Sequence, residues 1–181
     1  MRQVHGSHVV NADESTAMPD ADAAIARKPG TVCAVLIADC MPILLCNRAA
    51  TVVAIAHAGW RGLSSGVIEN TVRATDVAPG ELLAYLGPAI GRDAFEVGTD
   101  VRDAFTITDP VAAQAFQSCG RNKWLADLRK LALSRFAASG VQRVFGADLC
   151  TYRDASRFYS YRRDKVTGRM AALIWLDRDQ G

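Results

Sequence analysis

The 181-residue chain predicts a mixed fold of the α/β or α+β class, on three observations. Short apolar runs recur at residues 33–38, 51–57 and 82–86, the second of them rich in β-branched residues, as expected of strands. Other segments repeat apolar residues at helical spacing instead, notably Val67, Ile68 and Val72, and then Leu128, Leu131, Ala132 and Phe136. The connections between these segments are of both hairpin and crossover length, which suits a mixed sheet. No repeat, low-complexity tract or linker divides the chain. Its hydrophobic residues, 50% of the total, can build one sizeable core, so residues 1–181 read as a single domain.

Taken in order, residues 3–10 predict the first strand, and a polar loop follows over 11–30. Residues 33–38 form a continuous apolar run, as in a strand covered on both faces. Pro42 cannot donate to a ladder, so residues 39–42 predict a break before a second strand at 43–46. Residues 51–57 predict the third. Gly59-Trp60-Arg61-Gly62 then turns the chain into a helix, with Ser64 or Ser65 as its cap. Residues 82–86 make a strand ending at Gly87-Pro88. Thr99 is placed to cap a short helix through Val101 and Phe105. Trp124 and Leu125 join the helical period that runs to Phe136, and Gly140 marks its stop. Residues 143–149 and 170–176 complete the strands. Trp60, Trp124 and Trp175 read as core residues, Trp60 also as a pocket wall.

Composition excludes several function classes. A net charge of +2 with interspersed signs offers no polyanion-binding surface, so no nucleic acid is expected. No apolar run reaches membrane-spanning length, and MRQVHGSH lacks the apolar stretch of a secretory signal. The five cysteines (Cys33, Cys40, Cys46, Cys119, Cys150) follow no disulfide framework, and several sit in apolar runs where a reduced thiol is usual. A cytoplasmic protein is expected.

The chemistry concentrates in three short motifs. QVHG (3–6), ADCMP (38–42) and AHAGWRG (56–62) offer His5, Cys40 and His57. Two imidazoles and one thiolate suit a catalytic zinc, whose fourth position stays open; a structural site would use four ligands in paired short spacings. His5 also fits an ordinary surface histidine at a strand end. Cys40 lies outside the apolar run, where a structural cysteine gains little burial, and Gly59 and Gly62 let other groups approach the backbone near His57. His8 should face away from His5 and is set aside. Arg61, after a glycine-bounded turn, is a candidate for phosphate, and it fits equally a surface arginine paired with a carboxylate. Arg162 and Arg163 follow Phe158-Tyr159-Ser160-Tyr161, a run that can stack a planar base and bind a phosphate, or simply pack. Asp39 is a candidate base or orienting group beside Cys40. Gly87-Pro88 with Gly91 is too irregular for a phosphate cradle.

The motifs QVHGSHVV, ADCMPILL, AIAHAGWRGL, YLGPAIGRDAFEVGTDV and LCTYRDASRFYSYRRDKVTGRMAALIWL, in that order, resemble the YfiH or laccase-domain family, also called polyphenol oxidase or multifunctional purine nucleoside phosphorylase. The resemblance covers nearly the whole chain. It implies a layered α/β/β/α sandwich with a mixed sheet, an α+β fold shared with the catalytic domain of cytotoxic necrotising factor. It implies metal ligation by His5, Cys40 and His57, catalytic roles for Cys40, His57 and Asp39, and substrate or phosphate contacts from Arg61 and Arg162. The implied substrates are adenosine, inosine and 5′-methylthioadenosine with phosphate, and the implied reactions are phosphorolysis and adenosine deamination. Family members carry a further segment before QVHG, so the resemblance also implies an N-terminally incomplete domain.

Zn²⁺ is the expected cofactor. Copper is the less favoured alternative: His₂Cys with the adjacent Met41 is a blue-copper set, but such ligands cluster in one loop, and a multicopper oxidase needs more than three histidines. A metal-free Cys–His hydrolase or deamidase stays open as a second class, and a non-catalytic binding protein as a third.

Overall fold

A computed structural model describes residues 1–15, 17–146 and 148–177. Its centre is a six-stranded mixed sheet of β1 (Val9–Asn11), β2 (Ala23–Ala26), β4 (Met41–Asn47), β5 (Val53–Ala58), β6 (Leu82–Leu86) and β10 (Arg143–Gly146). The spatial order is β1-β2-β5-β4-β6-β10. β1–β2 and β6–β10 are parallel; β2–β5, β5–β4 and β4–β6 are antiparallel. A two-stranded sheet pairs β3 (Cys33–Ile37) with β11 (Met170–Ile174). A three-stranded sheet orders β7 (Glu96–Gly98), β9 (Lys123–Ala126) and β8 (Phe116–Gly120). The helices are α1 (Trp60–Ser64), α2 (Val67–Ala74), α3 (Thr99–Thr106), α4 (Leu128–Ala138) and α5 (Tyr161–Asp164). This is the mixed, layered α+β fold expected.

Side-chain parity splits the central sheet between two cores. Ala23 and Ile25 of β2, Met41, Ile43 and Leu45 of β4, and Ala54, Ala56 and Ala58 of β5 face the helices, against Ile68, Val72, Leu131 and Phe136. The alternate residues Ala24, Ala26, Val53 and Ile55 meet Cys33, Val35 and Ile37 of the small sheet. Period-2 alternation places one strand in both cores at once. Each fully buried Leu, Ile or Phe contributes roughly 1.5–3 kcal/mol. His57 has the parity of Val53 and Ile55, so it lies on the small-sheet side, at the strand end where that cover stops.

Several expectations are corrected. Residues 3–8 are not strand; β1 is only Val9–Asn11. The backbone N–H groups of Val4, His5 and Gly6 all point to one carboxylate, that of Asp22, and His5 takes a φ of 60°, so side chains there cannot alternate. The supposed loop 11–30 contains β2, fully buried between neighbours on both sides. Its alanines carry weak strand propensity, and tertiary burial overrides it. β3 alternates between buried and exposed residues, because one face is open.

Pro42 does not break the chain but sits inside β4 opposite His57. Its carbonyl accepts from Gly87 just past the end of β6, so its missing N–H falls at the sheet margin. Neither Ser64 nor Ser65 caps a helix N-terminus; Ser65 instead closes α1 as its C-cap. Gly59 and a left-handed Gly66 precede α1 and α2, and the Ser64 hydroxyl donates back to Arg61. Thr99 is the first residue of α3, and Gly98 occupies the cap position. Trp124 and Leu125 belong to β9; α4 starts after the Asp127 cap and stops before Gly140, whose φ is 80°. β10 ends at Gly146, and Ala147 of the expected strand lies outside the described residues. Trp175 is 52% exposed, so it is no core residue, whereas Trp60 and Trp124 pack partly buried against the helix-side core.

Candidate metal centre and cavity

Three margins of the fold meet around one point. His5 lies in the N-terminal segment, Cys40 in the bend between β3 and β4, and His57 near the end of β5. Their ligand atoms all lie within 4.8 Å of one another. The two imidazoles meet edge-on, centroids 4.8 Å apart. His57 is buried, Cys40 half-buried and His5 exposed, so the cluster opens outward on the His5 side. Such a group could hold a metal ion with one position open.

Gly59 and Gly62 make this convergence possible. A Cβ on Gly59 would lie 2.8 Å from the Cys40 Sγ, and one on Gly62 2.9 Å from the Gly6 carbonyl oxygen. The turn after β5 thus packs backbone directly on both other motifs, as the glycines predict.

The His57 ring is held from behind. Its Nδ1 lies 2.8 Å from Asp22 Oδ1, and Asp22 is fully buried. Burial pushes the Asp22 carboxyl up, but the His57 hydrogen bond and the N–H groups of Gly6, Val4 and His5 outweigh it, leaving it below the usual carboxylate range. Burial pushes the imidazolium of His57 down, and the Asp22 bond only partly offsets that. The pair at neutral pH is therefore a carboxylate and a neutral imidazole. A carboxylate only accepts, so Nδ1 carries the proton and Nε2 presents a lone pair to the cluster.

The Cys40 thiol is pushed up to about 12 by burial first, then by Asp39 and Asp22, while Arg169 and Arg61 oppose the rise. A thiolate at neutral pH therefore needs a cation beside the sulfur, which a metal supplies.

The cluster lies in a cavity of about 800 Å³. Trp60, Phe95 and Tyr161 supply aromatic wall, and Arg2, Arg61, Arg162 and Arg169 supply cations. These arginines differ in their partners. Arg2 is paired with Asp20. Arg162 donates from its guanidinium to the Glu96 carbonyl at 2.8 Å and lies over Phe95. Arg61 stacks on Trp60, 4.5 Å from the ring centroid. Arg169 donates to the carbonyls of Thr167 and Gly168. The guanidinium groups of Arg61, Arg162 and Arg169 have no carboxylate partner among the described residues, and that of Arg162 is held by main-chain carbonyls. Met41, the residue adjacent to Cys40, is buried in the helix-side core and does not line the cavity.

Asp39, with a φ of 97°, lines the cavity beside Cys40, and its carboxylate is engaged by other groups. Its Oδ1 accepts from the Thr151 hydroxyl at 2.7 Å and its Oδ2 from the Arg162 backbone N–H at 2.7 Å. Both oxygens are thus engaged in anchoring the 151–162 segment, which carries Tyr161 and Arg162 to the cavity. Arg163 points elsewhere, into the carbonyls of Thr151, Tyr152 and Phe158. Of the aromatic run, Tyr161 lines the cavity and Phe158 and Tyr159 do not.

Sequence reasoning missed Asp22 and Arg169. Asp22 sits in an alanine-rich stretch (DADAAIA, 20–26) with no motif around it, and Arg169 is one of 21 basic residues. No local signal marks either.

The chain is similar to known proteins over nearly its whole length. The family model described as multi-copper polyphenol oxidoreductase laccase matches residues 1–177. The purine nucleoside phosphorylase YfiH of Escherichia coli is 54% identical over 177 residues, 97% of this chain and 72% of that one. A purine nucleoside phosphorylase of Haemophilus influenzae is 40% identical over 179 residues, 98% of this chain and 73% of its own length. A crystal structure of a Neisseria meningitidis protein superposes with a TM-score of 0.95 at 54% identity, covering 97% of this chain and 73% of that one. The chain belongs to the laccase-domain family.

Proposed function

We propose that this laccase-domain chain is a zinc-dependent purine nucleoside phosphorylase, with His5, Cys40 and His57 as the metal ligands. The convergence of those three ligand atoms within 4.8 Å, inside a cavity walled by aromatics and arginines, is the observation that carries the reading. The names of the relatives support the reaction class. Zinc on these ligands would supply Lewis-acid stabilisation of an anion or an activated water.

The chain's own groups account for binding. Trp60, Phe95 and Tyr161 form faces against which a planar purine stacks. Arg61 and Arg169, without carboxylate partners among the described residues, hold phosphate beside the cluster, and Arg162, fixed by main-chain carbonyls, borders the same space. In phosphorolysis a phosphate oxygen bonds to C1′ as the C1′–N9 bond breaks. The base leaves with the bonding pair and takes up a proton. Cations at the cavity mouth stabilise the charge on the phosphate as the base departs. Asp39 acts by positioning Arg162 and Tyr161, and His57 is aligned by Asp22. Adenosine, inosine and 5′-methylthioadenosine are the substrates the family resemblance implies; deamination of adenosine rests on that resemblance alone. We further read residues 1–181 as one domain, and the protein as cytoplasmic. No helix among the described residues is long and apolar enough to cross a membrane.

One observation favours a second reading. Asp22, His57 and Cys40 follow the order of an acid–base–nucleophile triad. The buried, neutral thiol of Cys40 argues against it. Copper chemistry has less support: Met41 is in the core, and the chain has three histidines in all.

The test is phosphate-dependent release of base from adenosine, inosine and 5′-methylthioadenosine, followed by chromatography alongside metal content. About one zinc per chain is expected, with Cys40→Ala losing both metal and turnover, at least ~100-fold, while the far-ultraviolet spectrum persists. Full turnover by zinc-free Cys40→Ala protein would falsify the metalloenzyme reading. Stoichiometric inactivation of metal-free, active protein by a thiol alkylator would instead establish the triad.

A further inference from the structure

We propose that Asp22 is a positioning residue that sets both histidines of the cluster, holding the His57 ring in one tautomer and the His5 segment in one conformation. The metal part of the proposal rests on the reading above; the tautomer part does not.

Asp22 ends the irregular segment before β2, and the antiparallel register places its neighbour Ala23 opposite Ala56. The residue is tied into the sheet on both sides. Its carbonyl accepts from the His57 N–H at 2.7 Å, and its own N–H donates to the His8 carbonyl at 3.1 Å. The backbone is therefore held on both sides, and the side chain is fully buried. Each carboxylate oxygen accepts twice. Oδ1 takes His5 N at 2.9 Å and His57 Nδ1 at 2.8 Å. Oδ2 takes Gly6 N at 2.6 Å and Val4 N at 3.1 Å.

Four donors saturate the roughly four lone-pair sites of a carboxylate. Three of them are consecutive backbone N–H groups. Gathering these at one carboxylate folds residues 4–6 into a tight nest rather than a strand, and it places His5 at a φ of 60°, where a non-glycine residue needs outside support. The fourth donor is the ring nitrogen opposite the one that faces Cys40. A single carboxylate thus sets the orientation of one ligand through its ring and of the other through its main chain. Groups behind metal ligands fix tautomer and angle in this way, and their loss typically costs 10–100-fold in metal affinity.

Asparagine has nearly the volume of aspartate but one acceptor oxygen. In Asp22→Asn the NH₂ group must face either two backbone N–H donors or the His57 and His5 N–H groups. Both arrangements leave donors opposed. The variant therefore tests hydrogen bonding at nearly constant packing.

Two measurements decide the proposal. In the first, long-range proton–nitrogen correlation spectra of ¹⁵N-histidine-labelled protein, as purified and after chelation, report the His57 tautomer. The Nδ1–H form is expected in the native protein, and a mixture in Asp22→Asn. A native His57 in the Nε2–H form overturns the proposal, whatever the metal result. In the second, zinc affinity is read by competition with a chromophoric chelator. Asp22→Asn is expected to bind 10–100-fold more weakly, with cobalt-substituted protein showing a changed ligand-field spectrum. A folded Asp22→Asn protein with affinity within about threefold of native overturns the proposal. If native protein takes up no zinc, the metal reading falls and the tautomer alone decides Asp22. Should Asp22→Asn fail to fold, Asp22→Glu retains the charge one methylene further out. Weakened affinity upholds the proposal there, and native affinity overturns it.

Discussion

Two buried aspartates organise the two halves of the site, and they act on different things. Asp22 is fully buried and gathers residues 4–6 and His57. Asp39, 8% exposed, gathers Thr151 and the main chain of Arg162. Each carboxylate uses the same device: it accepts hydrogen bonds from a segment with little regular structure and pins that segment to the sheet. The Asp22 half controls ligand atoms. The Asp39 half controls the wall, through Tyr161 and Arg162. Under the proposed function, metal binding depends on the first half and substrate binding on the second.

The sharpest break in that comparison is Asp39→Ala. It leaves the Thr151 hydroxyl and the Arg162 N–H without their partner, at a cost of about 1–3 kcal/mol for each unsatisfied buried group. Stability by urea denaturation should fall accordingly, and nucleoside KM should rise about tenfold or more, while zinc stoichiometry stays at the native value. Loss of metal in this variant would show that the two halves are not separable.

Acid should distinguish the halves next. In metal-free protein His57 has a lowered pKa, so below its ordinary value of 6.5 the unfolded chain takes up that proton before the folded one does. Asp22 is also held low, so its contribution is present above about 4 and is lost as pH falls through its folded value. Both act in one direction: stability declines as pH drops from about 6.5, by about 1.4 kcal/mol for each unit of separation between folded and unfolded pKa. Cys40 acts oppositely. Its stabilising neutral form is lost by the unfolded chain above 9 and by the folded chain near 12, so metal-free protein should weaken between those values. Melting temperatures from pH 4 to 10.5 check both limbs. A flat acid limb would remove the Asp22–His57 pair from the account.

The smallest effect should come from Arg61→Ala. Arg61 is exposed and held only by stacking on Trp60, so the fold loses little. KM for phosphate should rise several-fold to about tenfold and KM for nucleoside less than twofold, as read from steady-state rates at varied phosphate. An unchanged phosphate dependence would leave the anion to Arg169 and Arg162.

How much of this was legible depended on range. β5 and β6 followed from their apolar runs, and α2 and the body of α4 from apolar residues at helical spacing that face the core. β2 did not, because its alanines become strand-like only when neighbours cover both faces. Residues 3–8 read as a strand and fold as a nest, because their hydrogen-bond acceptor, Asp22, lies 16–18 residues further along the chain. Glycine spacing around His57 correctly signalled close backbone approach. Asp39 was legible as a residue beside Cys40, but not its partners, Thr151 and Arg162, which lie 112 and 123 residues away.

The amino-acid order by itself determined the ligand types, the glycines that let three motifs meet, and the alternation that splits the sheet between two cores, since these depend on residue chemistry and short spacing. Tertiary structure alone decided which carboxylate stands behind His57, which arginines have no carboxylate partner among the described residues, and which wall the cavity has. Those outcomes depend on which hydrogen-bond donors and acceptors end up buried together, and no local pattern specifies that.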